Sequence, residues 1–530
     1  MAGRMTLEDK YPWGADDRTI GALLAARSAR DPGAIYCRFG EERIAFGALQ
    51  ERVNRLANGL LALGIREGDR VPVMLPNHPD HMVAFLALAT IGACQVPVNV
   101  HLRGAGLEYL LEHCEPRALI ADRRYAEQLA PALQKAPIAT VIWRGDGAGE
   151  GSHDFAAIAA HPDASAPPCS HDPDRILAIM YTSGTTGMPK GVPLTDRMLR
   201  VSARASRRLA DVRPGDVMFL WEPLYHIGGC EVMILALMES VTIGLVERFS
   251  VSQFWSQIRG YGATHLHYLG GVLALLLKEP PRPEDADNPV RIAWGGGCPP
   301  TVWEAFAKRF GVAIRECYGM TEASSFTTQN LEGKVGSIGK PLPYFEVRVT
   351  DAAGVARGPG ERGEIRVRER VPGLIMQGYF RDPAATAAAL QEGWLRTGDL
   401  GWYDADGFFF YAGRTKDSIR RRGENIAAFE VERIIADHPE VAECAVIGVP
   451  NELADEDIKL FVRPKPNCRP DPAALLRWCE ARMAAFQVPR YVAFVEALPK
   501  TATERLRKEL LPREVAGCFD REARGRALRA

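Results

Sequence analysis

The sequence predicts an α/β fold in which sheets rich in parallel strands are covered by helices. Short apolar runs bounded by Gly, Pro or Asp alternate with longer segments of helical periodicity. This strand–helix–strand alternation is typical of parallel sheets, because each crossover helix packs on a sheet face. At 530 residues, the chain exceeds the size that one hydrophobic core usually serves, so two or more domains are expected.

The first part of the chain shows the alternation clearly. Residues 51–63 place apolar side chains on one helical face, and Gly64 is a typical residue to end that helix. Residues 70–75 predict a strand, and a second helix then extends to about residue 92. Residues 94–98 predict the next strand, and the same pattern continues at 119–121 and 140–143.

Later segments add further strands and two smaller units. Extended runs occur at residues 175–180, 217–220, 241–244, 264–268, 290–294 and 313–317. Strand-like alternation with two turns between 345 and 368 indicates a small β subdomain. After a strand at 408–411, a compact α+β unit is predicted with helices at 429–436 and 472–483 and strands at 445–449 and 459–462. The segment 145–174, rich in Gly, Pro and Ser, is interpreted as a loop between lobes.

Composition argues against several classes of protein. The net charge of −1 gives no bulk attraction to nucleic acid or to an anionic membrane. Eleven cysteines without paired spacing indicate reduced thiols in a cytoplasmic protein, and no His/Cys cluster has the spacing of a zinc site. Charged residues precede any apolar run at the N-terminus, so no signal peptide is expected. The most apolar segment, 82–94, is too short to span a bilayer and predicts a buried helix.

The stretch YTSGTTGMPKG at residues 181–191 is the most informative part of the chain. It follows a predicted strand and offers hydroxyls, backbone N–H groups and the ammonium group of Lys190. Glycines let the main chain approach phosphate oxygens, and successive N–H groups form a nest for an anion. It is not the common P-loop, because Met188 and Pro189 precede Lys190 and no Ser or Thr follows it. The pattern favours a triphosphate-binding loop over a flexible surface linker.

Four further motifs follow in order: YGMTE at 318–322, TGDLG at 397–401, GRTKD at 413–417 and RGENI at 422–426. With the loop, they make the chain resemble the acyl-adenylate-forming enzymes, which include acyl-CoA ligases, luciferases and peptide-synthetase adenylation domains. The resemblance extends from roughly residue 20 to residue 515. Because the motifs keep the family's order and spacing, chance agreement is negligible.

The resemblance implies a domain organisation and a reaction. A large N-terminal domain would cover residues 1–412, a hinge with Lys416 as its pivot would cover 413–416, and a mobile C-terminal domain would cover 417–530. The enzyme would join a carboxylic acid to ATP as acyl-AMP, release pyrophosphate, and pass the acyl group to coenzyme A. ATP, Mg²⁺ and coenzyme A are thus the implied cofactors. A small carboxylic acid is the implied substrate, and a homodimer is left open.

The resemblance also assigns roles to individual residues. Contacts with ATP fall to Thr182, Ser183, Gly184, Thr185, Thr186, Gly187, Lys190, Gly296, Gly297, Tyr318, Gly319, Thr321, Asp399 and Arg414. Within this set, Tyr318 would stack on adenine, Thr321 would contact the α-phosphate, and Asp399 would accept the ribose hydroxyls. The residues implied in catalysis are Lys190, His226, Glu322 and Arg505. Glu322 would also hold Mg²⁺, because one carboxylate suits an ion that keeps its waters and phosphate ligands.

The remaining assignments concern the acyl group and coenzyme A. The implied acyl pocket consists of His226, Ile227, Gly228, Tyr268, Gly270, Gly271, Gly295 and Met320. The implied coenzyme A channel is formed by Arg422, Gly423 and Glu424. His226 ends the motif WEPLYH and would lie beside the acyl carboxylate.

Some of these residues also have plainer interpretations. Glu322 could be a solvated acid at a helix start, and Asp399 could cap a turn. The run 295–297 could be a simple strand-to-helix turn, although three glycines exceed what such a turn needs. The basic run 420–422 suits a solvated loop as well as it suits coenzyme A phosphates.

The chain departs from the family pattern near its C-terminus. The family carries Gly-Lys where this chain has Glu504-Arg505, and that lysine bridges the carboxylate and the α-phosphate. Arginine keeps the charge but differs from lysine in reach and geometry, and Glu adopts a positive φ poorly. Three outcomes are open: Arg505 is functional, Lys500 or Lys508 takes over, or adenylation is weak.

The leading hypothesis is therefore an AMP-forming acyl-CoA ligase. The sequences of segments 376–380 and 420–430 look most like those of crotonobetaine/carnitine-CoA ligases and fatty-acyl-CoA synthetases. Two alternatives remain, an enzyme that loads a separate carrier protein and a nucleotide-binding pseudo-enzyme impaired by the changed Gly-Lys pair. The missing fingerprints exclude P-loop kinases and dinucleotide oxidoreductases.

Overall fold

The computed structural model describes most of the chain. It covers residues 12–13, 17–146, 152–182, 189–269, 271–415, 418–421, 424–451, 456–483, 485, 487–501, 504 and 506–523, with the backbone alone at 418, 420, 424, 425, 427 and 430. The chain divides into two compact units. The first consists of Met1–Val347 with Val367–Leu395, and the second of Arg348–Arg366 with Arg396–Ala530. Each unit contains both helices and strands, which confirms the predicted α/β class.

One sheet of the first unit has seven strands. In spatial order they are His153–Asp154, Val141–Arg144, Leu119–Asp122, Arg70–Met74, Cys94–Pro97, Ile176–Thr182 and Lys190–Thr195. Neighbours are parallel except for the last two, which form an antiparallel hairpin. Leu119–Asp122 and Cys94–Pro97 are buried along their whole length, as expected of strands covered on both faces.

The second sheet of this unit has nine strands. Their order is Lys340–Pro341, Thr328–Asn330, Ala313–Tyr318, Ile292–Gly296, His265–Leu269, Val217–Leu220, Thr242–Leu245, Ile35–Phe39 and Glu42–Ala45. The central strands are parallel and the outer pairs are antiparallel. Because Ile292–Gly296 and Ala313–Tyr318 are parallel neighbours, the glycine run and the YGMTE motif leave the same edge of this sheet.

Helices follow the strands as the alternation predicts. In the first unit they are Ile20–Arg30, Phe46–Ala62, Pro79–Thr90, Ala105–His113, Ala126–Lys135, Phe155–Ala159, Asp196–Ala210, Ile227–Met238, Phe254–Tyr261, Val272–Leu277, Pro300–Phe310 and Pro383–Ala389, with 3₁₀ turns at Arg123–Tyr125 and Thr321–Ala323. Pro79–Thr90 is almost entirely buried, which confirms the predicted buried helix. In the part of the chain that the structure describes, no helix is both long and apolar enough to cross a bilayer.

The segment predicted as a loop over 145–174 contains regular structure. His153–Asp154 is a short strand, and the helix Phe155–Ala159 follows it directly. The Asp154 carboxylate accepts the backbone N–H of Ala156 at 3.0 Å and so caps the helix, while Phe155 is buried. The prediction of an uninterrupted loop is therefore wrong, because a capping acid and one buried aromatic ring suffice to fix a short helix here.

A separate five-stranded sheet corresponds to the predicted β subdomain. Phe345–Thr350, Gly363–Glu369 and Trp394–Tyr403 lie side by side in that order. Leu390–Gln391 and Phe409–Arg414 pair antiparallel with Trp394–Tyr403. The TGDLG motif therefore lies within a strand.

The last part of the second unit is the predicted α+β arrangement. A hairpin joins Ser418–Arg421 to Glu424–Ala427. A four-stranded sheet follows, in the order Val441–Pro450, Glu456–Pro464, Tyr491–Phe494 and Phe519–Asp520. The helices Ala428–Ala436 and Pro472–Glu480 and the 3₁₀ turn Lys508–Leu510 complete it. Both helices contribute apolar side chains to a core shared with the sheet, which gives this part its own hydrophobic interior.

Candidate active site

The predicted phosphate loop emerges from the hairpin at the edge of the seven-stranded sheet. The strands Ile176–Thr182 and Lys190–Thr195 pair so that Thr182 lies opposite Lys190. The structure thus places both ends of the loop. The loop residues Ser183, Gly184, Thr185, Thr186 and Gly187 lie outside the described residues.

A tyrosine brings two predicted catalytic residues together. The Lys190 ammonium lies over the Tyr379 ring, 4.9 Å from its centroid. The Tyr379 hydroxyl donates a hydrogen bond to Oε1 of Glu322 at 2.9 Å. Burial and the neighbouring Glu322 charge raise the pKa of Tyr379 well above its ordinary value, so the hydroxyl stays protonated and acts as the donor. One side chain therefore contacts both the cation of Lys190 and the carboxylate of Glu322.

The YGMTE motif forms a tight turn after its strand. A Cβ atom added at Gly319 would lie 2.0 Å from the carbonyl oxygen of Ser325, so no side chain fits there. Ser324 and Ser325 both have positive φ, 52° and 70°, a conformation that L-residues adopt at a cost. The Ser324 hydroxyl donates to the carbonyl of Leu374 at 2.7 Å and so helps to hold this conformation. The turn fixes the backbone on both sides of Thr321 and Glu322.

Glu322 fits the role of a ligand to a nucleotide-bound magnesium ion. Glu322 is a half-buried residue, and its backbone carbonyl accepts the N–H of Met376 at 2.8 Å. Within the described ranges, no group of three or more His, Cys, Asp or Glu side chains could hold a metal ion. A divalent ion at Glu322 would therefore take phosphate and water oxygens as its other ligands, which is the coordination that Mg²⁺ prefers beside a nucleotide.

The glycine run 295–297 has space for the main chain alone at its first position. A Cβ atom at Gly295 would lie 1.8 Å from the carbonyl oxygen of Tyr268. Gly297 has a φ of 93°, which also favours glycine. The run does connect a strand to the helix Pro300–Phe310, as its plainer interpretation requires. The absence of room at Gly295 is a constraint beyond that of an ordinary turn.

A buried carboxyl group, Glu316, holds this glycine run in place. It accepts hydrogen bonds from the N–H of Gly297, from the N–H of Cys298 at 3.2 Å and from the Tyr268 hydroxyl at 2.7 Å. Burial raises the pKa of Glu316 to about 8, although these donors act in the opposite direction. Sequence reasoning missed Glu316, because a charged residue in an alternating strand is usually exposed.

The predicted acyl-pocket residues lie at the start of the helix Ile227–Met238 and around the glycine run. His226 is the residue directly before that helix. A Cβ atom at Gly228 would lie 3.2 Å from Cε1 of His267, and Nδ1 of His267 lies 2.6 Å from Oε1 of the buried Glu222. The absent side chain at Gly228 thus lets the helix approach a buried acid–imidazole pair.

The other acyl-pocket residues differ in exposure. Tyr268 is fully buried, and its hydroxyl is directed to Glu316. Ile227 and Met320 are half-buried and Gly271 is exposed, while Gly270 lies outside the described residues.

In the second unit, Asp399 and Arg414 are direct partners. They lie opposite each other on antiparallel strands, with Arg414 Nε 3.0 Å from Asp399 Oδ1. Asp399 is buried within the strand Trp394–Tyr403, so its interpretation as a turn cap is wrong. Two residues predicted to share the ribose thus form one acid–guanidinium pair.

The C-terminal lysines considered as replacements are both ion-paired. Lys500 contacts Glu443 and lies 2.9 Å from Glu504, and Lys508 lies 2.7 Å from Glu432. Glu504 has a φ of 60°, so the chain keeps at this position the left-handed conformation that glycine favours. Four predicted residues, Lys416, Arg422, Gly423 and Arg505, lie outside the described residues, and Glu424 is described by its backbone alone.

Tyr379 is the second residue that sequence reasoning missed. It lies in the segment 376–380, whose sequence contributed to the family resemblance without any role for the tyrosine. Its place in a segment that resembles the family was the one feature of the sequence that could have indicated a role. Its contacts depend on tertiary structure, because Lys190 and Glu322 are both distant from it in the chain.

Comparison with known proteins identifies the family. The AMP-binding enzyme family matches residues 24–380, and the AMP-binding enzyme C-terminal domain matches residues 430–505. A crotonobetaine/carnitine–CoA ligase from Salmonella arizonae is 33% identical over 484 residues, which cover 89% of this chain and 93% of the relative. A sulfoacetate–CoA ligase from Cupriavidus necator is 32% identical over 500 residues, which cover 92% of this chain and 96% of the relative.

Solved structures agree over nearly the whole chain. An anthranilate CoA ligase in complex with anthranoyl-AMP matches with a TM-score of 0.86 at 25% identity, covering 97% of this chain and 98% of that one. The o-succinylbenzoate CoA synthetase from Bacillus subtilis in complex with ATP and magnesium ion matches with a TM-score of 0.81 at 28% identity, covering 92% and 98%. On this agreement in sequence and fold, the chain belongs to the family of AMP-binding enzymes and is one of its AMP-forming acyl-CoA ligases.

Proposed function

We propose that this ligase activates a small carboxylic acid with ATP as acyl-AMP and then transfers the acyl group to the thiol of coenzyme A. Pyrophosphate leaves in the first step and AMP in the second. The observation that carries the proposal is the convergence of Lys190 and Glu322 on Tyr379, next to the base of a hydroxyl-rich loop. Attack of a carboxylate on the α-phosphate brings anions together, so the site must supply a cation and a metal-binding acid at fixed positions.

Residues of the first unit would hold the triphosphate and the base. Lys190, Thr182 and the loop hydroxyls would contact the β- and γ-phosphates, and Thr321 the α-phosphate. Tyr318 and the run 295–297 would contact adenine. Glu322 would hold Mg²⁺, which neutralises charge on the phosphates when it is bound.

Residues of the second unit would hold the ribose and serve the second step. The buried Asp399 would accept the ribose hydroxyls with Arg414 beside it. Lys416 would be the pivot of a domain rotation between the two steps, with 413–416 as the hinge and residues 422–424 facing coenzyme A. Arg505 would bridge the carboxylate and the α-phosphate, because Lys500 and Lys508 are already engaged with acidic partners.

The acid itself is proposed by class. The relatives named above act on crotonobetaine or carnitine, on sulfoacetate, on anthranilate and on o-succinylbenzoate, which share a carboxylate and differ in the rest of the molecule. A short or aromatic acid with a second polar group is common to all of them. We therefore propose this class, acting in the cytoplasm, where the eleven unpaired cysteines would remain reduced.

The test is acid-dependent exchange of labelled pyrophosphate into ATP, followed by thioester formation with coenzyme A. The panel contains short, branched, aromatic, long-chain, sulfonated and betaine-like acids. Exchange with one class and formation of its coenzyme A thioester support the proposal. Exchange without any thioester would point to a carrier protein as acceptor, and absence of exchange across the panel would overturn the proposal.

A further inference from the structure

We propose that Tyr379 is a positioning residue that sets the phosphate-contacting Lys190 and the metal-binding Glu322 in one fixed geometry. Its hydroxyl orients the carboxylate and its ring supports the ammonium group. The inference rests on the proposed function and deepens it. It assigns to one side chain the coupling between the nucleotide phosphates and the magnesium ion.

The hydroxyl contact orients the Glu322 carboxylate. Tyr379 donates to Oε1 at 2.9 Å, and a hydrogen bond to a charged acceptor is stronger than one between neutral groups. A carboxylate held through one oxygen cannot rotate freely about its last bond. The direction from which Glu322 approaches a metal ion is therefore fixed before the ion arrives.

The ring contact positions the Lys190 ammonium group. The distance of 4.9 Å from the ring centroid is within the range of a cation–π interaction. A flexible lysine at the end of a loop would otherwise sample several rotamers, and ordering it on phosphate would cost entropy. The aromatic face therefore keeps the ammonium group close to the metal-binding acid.

The backbone around Tyr379 is tied to both elements that the side chain contacts. The N–H of Phe380 donates to the carbonyl of Gly191 at 2.8 Å, directly after Lys190. The N–H of Met376 donates to the carbonyl of Glu322 at 2.8 Å. The segment 376–380 thus bridges the phosphate-loop strand and the metal-binding turn.

The tyrosine itself is anchored from the other side. Its N–H donates to Oγ1 of Thr386 at 2.9 Å, and that hydroxyl donates to the carbonyl of Asp382 at 2.7 Å. Gly378 leaves room for this arrangement, because an added Cβ would lie 2.8 Å from Cγ2 of Thr386. This anchoring fixes the backbone from which the Tyr379 side chain extends and so limits the positions that its ring and hydroxyl can take.

The two contacts are separable by substitution. Tyr379→Phe keeps the ring over Lys190 and removes the hydrogen bond to Glu322, whereas Tyr379→Leu removes both. Tyr403→Phe is the matched control, because it deletes a tyrosine hydroxyl that donates to the carbonyl of Arg357 in the second unit.

The experiment measures ATP binding by calorimetry at a series of magnesium concentrations, for the full-length protein and each variant. Tyr379→Phe should raise the magnesium concentration needed for half-maximal ATP binding by about tenfold, and leave metal-free ATP affinity within about twofold. Tyr379→Leu should show the same magnesium effect and also weaken metal-free ATP binding by roughly threefold or more. Tyr403→Phe should match the unmodified protein, and thermal unfolding of each variant verifies its fold.

Each outcome decides. If Tyr379→Phe titrates with magnesium as the unmodified protein does, the positioning role is overturned while the proposed function stands. The same conclusion follows if the Phe and Leu variants cannot be told apart in metal-free ATP binding. If the unmodified protein shows no magnesium-dependent ATP binding, the proposed function fails and this inference fails with it.

Discussion

The substitution Gly295→Ala tests whether the glycine run 295–297 is packed so closely on the neighbouring strand that no side chain fits, or is an ordinary turn. The added methyl group would lie 1.8 Å from the carbonyl oxygen of Tyr268, and 2.8 and 3.1 Å from its carbonyl carbon and amide nitrogen. All three neighbours are backbone atoms of a buried parallel strand. No side-chain rotation can relieve the contact, so one of two paired strands must move.

The size of the effect follows from this geometry. Reaching the shortest distance that real Cβ atoms tolerate requires a displacement of about 1 Å between hydrogen-bonded strands. Overpacking of a core usually costs 1–3 kcal/mol, and a backbone clash belongs at the upper end, so we expect a loss of about 3 kcal/mol. At roughly 2 °C per kcal/mol for a large unit, the melting temperature should fall by about 6 °C.

The neighbouring glycine supplies the matched control. A Cβ atom at Gly296 would meet the carbonyl oxygen of Cys317 at 3.1 Å, a contact that a small local adjustment relieves. Gly296→Ala should therefore cost less than about 1 kcal/mol. Differential scanning fluorimetry measures the melting temperature of both variants, and calorimetry measures their affinity for ATP. Gly295→Ala should also weaken ATP binding at least tenfold. Equal melting temperatures for the two variants would refute the argument.

Three further predictions concern the buried acids Glu316 and Asp399 and the half-exposed Glu504. Because burial raises the folded-state pKa of Glu316 from 4.5 to about 8, its contribution to stability is complete below pH 4.5 and is lost as the pH rises to 8. Glu316→Gln should flatten that decline, at most about 1.4 kcal/mol per pH unit, in urea unfolding at pH 5.5 and 8; an unchanged slope would contradict it. Asp399→Ala, which removes the buried carboxylate beside Arg414, should weaken ATP binding at least tenfold by calorimetry, and unchanged affinity would remove the ribose role. Glu504→Gly should be about 1 kcal/mol more stable than Glu504→Ala in urea unfolding, because both lose the half-exposed pair with Lys500 and glycine alone relieves the positive φ; the reverse order would show that the backbone is not strained there.

The sequence predicted the layers of the fold because parallel strands leave a clear pattern. Runs such as 119–121 are apolar throughout, which indicates burial on both faces, and the observed strand Leu119–Asp122 is buried at each residue. The helix Phe155–Ala159 was missed, since one turn and a half of helix carries too few residues for a periodic signal. Its cap and its buried ring are individually common in loops.

The candidate site could be predicted from the sequence where its reactive side chains lie in short motifs. Lys190, Glu322, Asp399 and Arg414 were named from short stretches. Within the first unit Lys190 and Glu322 both contact Tyr379, and within the second unit Asp399 pairs with Arg414. The residues that hold the site's side chains and backbone in position could not be predicted from the sequence. Glu316 is a carboxyl group whose partners are Tyr268 on another strand and backbone N–H groups just after the end of a third, so its role depends on strand order, which no local pattern encodes.

The pairing of Thr182 with Lys190 has a consequence for exchanging loops between relatives. In an antiparallel hairpin, a slip of one residue turns every following side chain to the opposite face. A graft that changes the number of residues between 182 and 190 would leave Lys190 over the Tyr379 ring, provided that the grafted chain still pairs Thr182 with Lys190. A shorter graft that shifts the register would direct the ammonium group away from Tyr379, even with every motif residue retained.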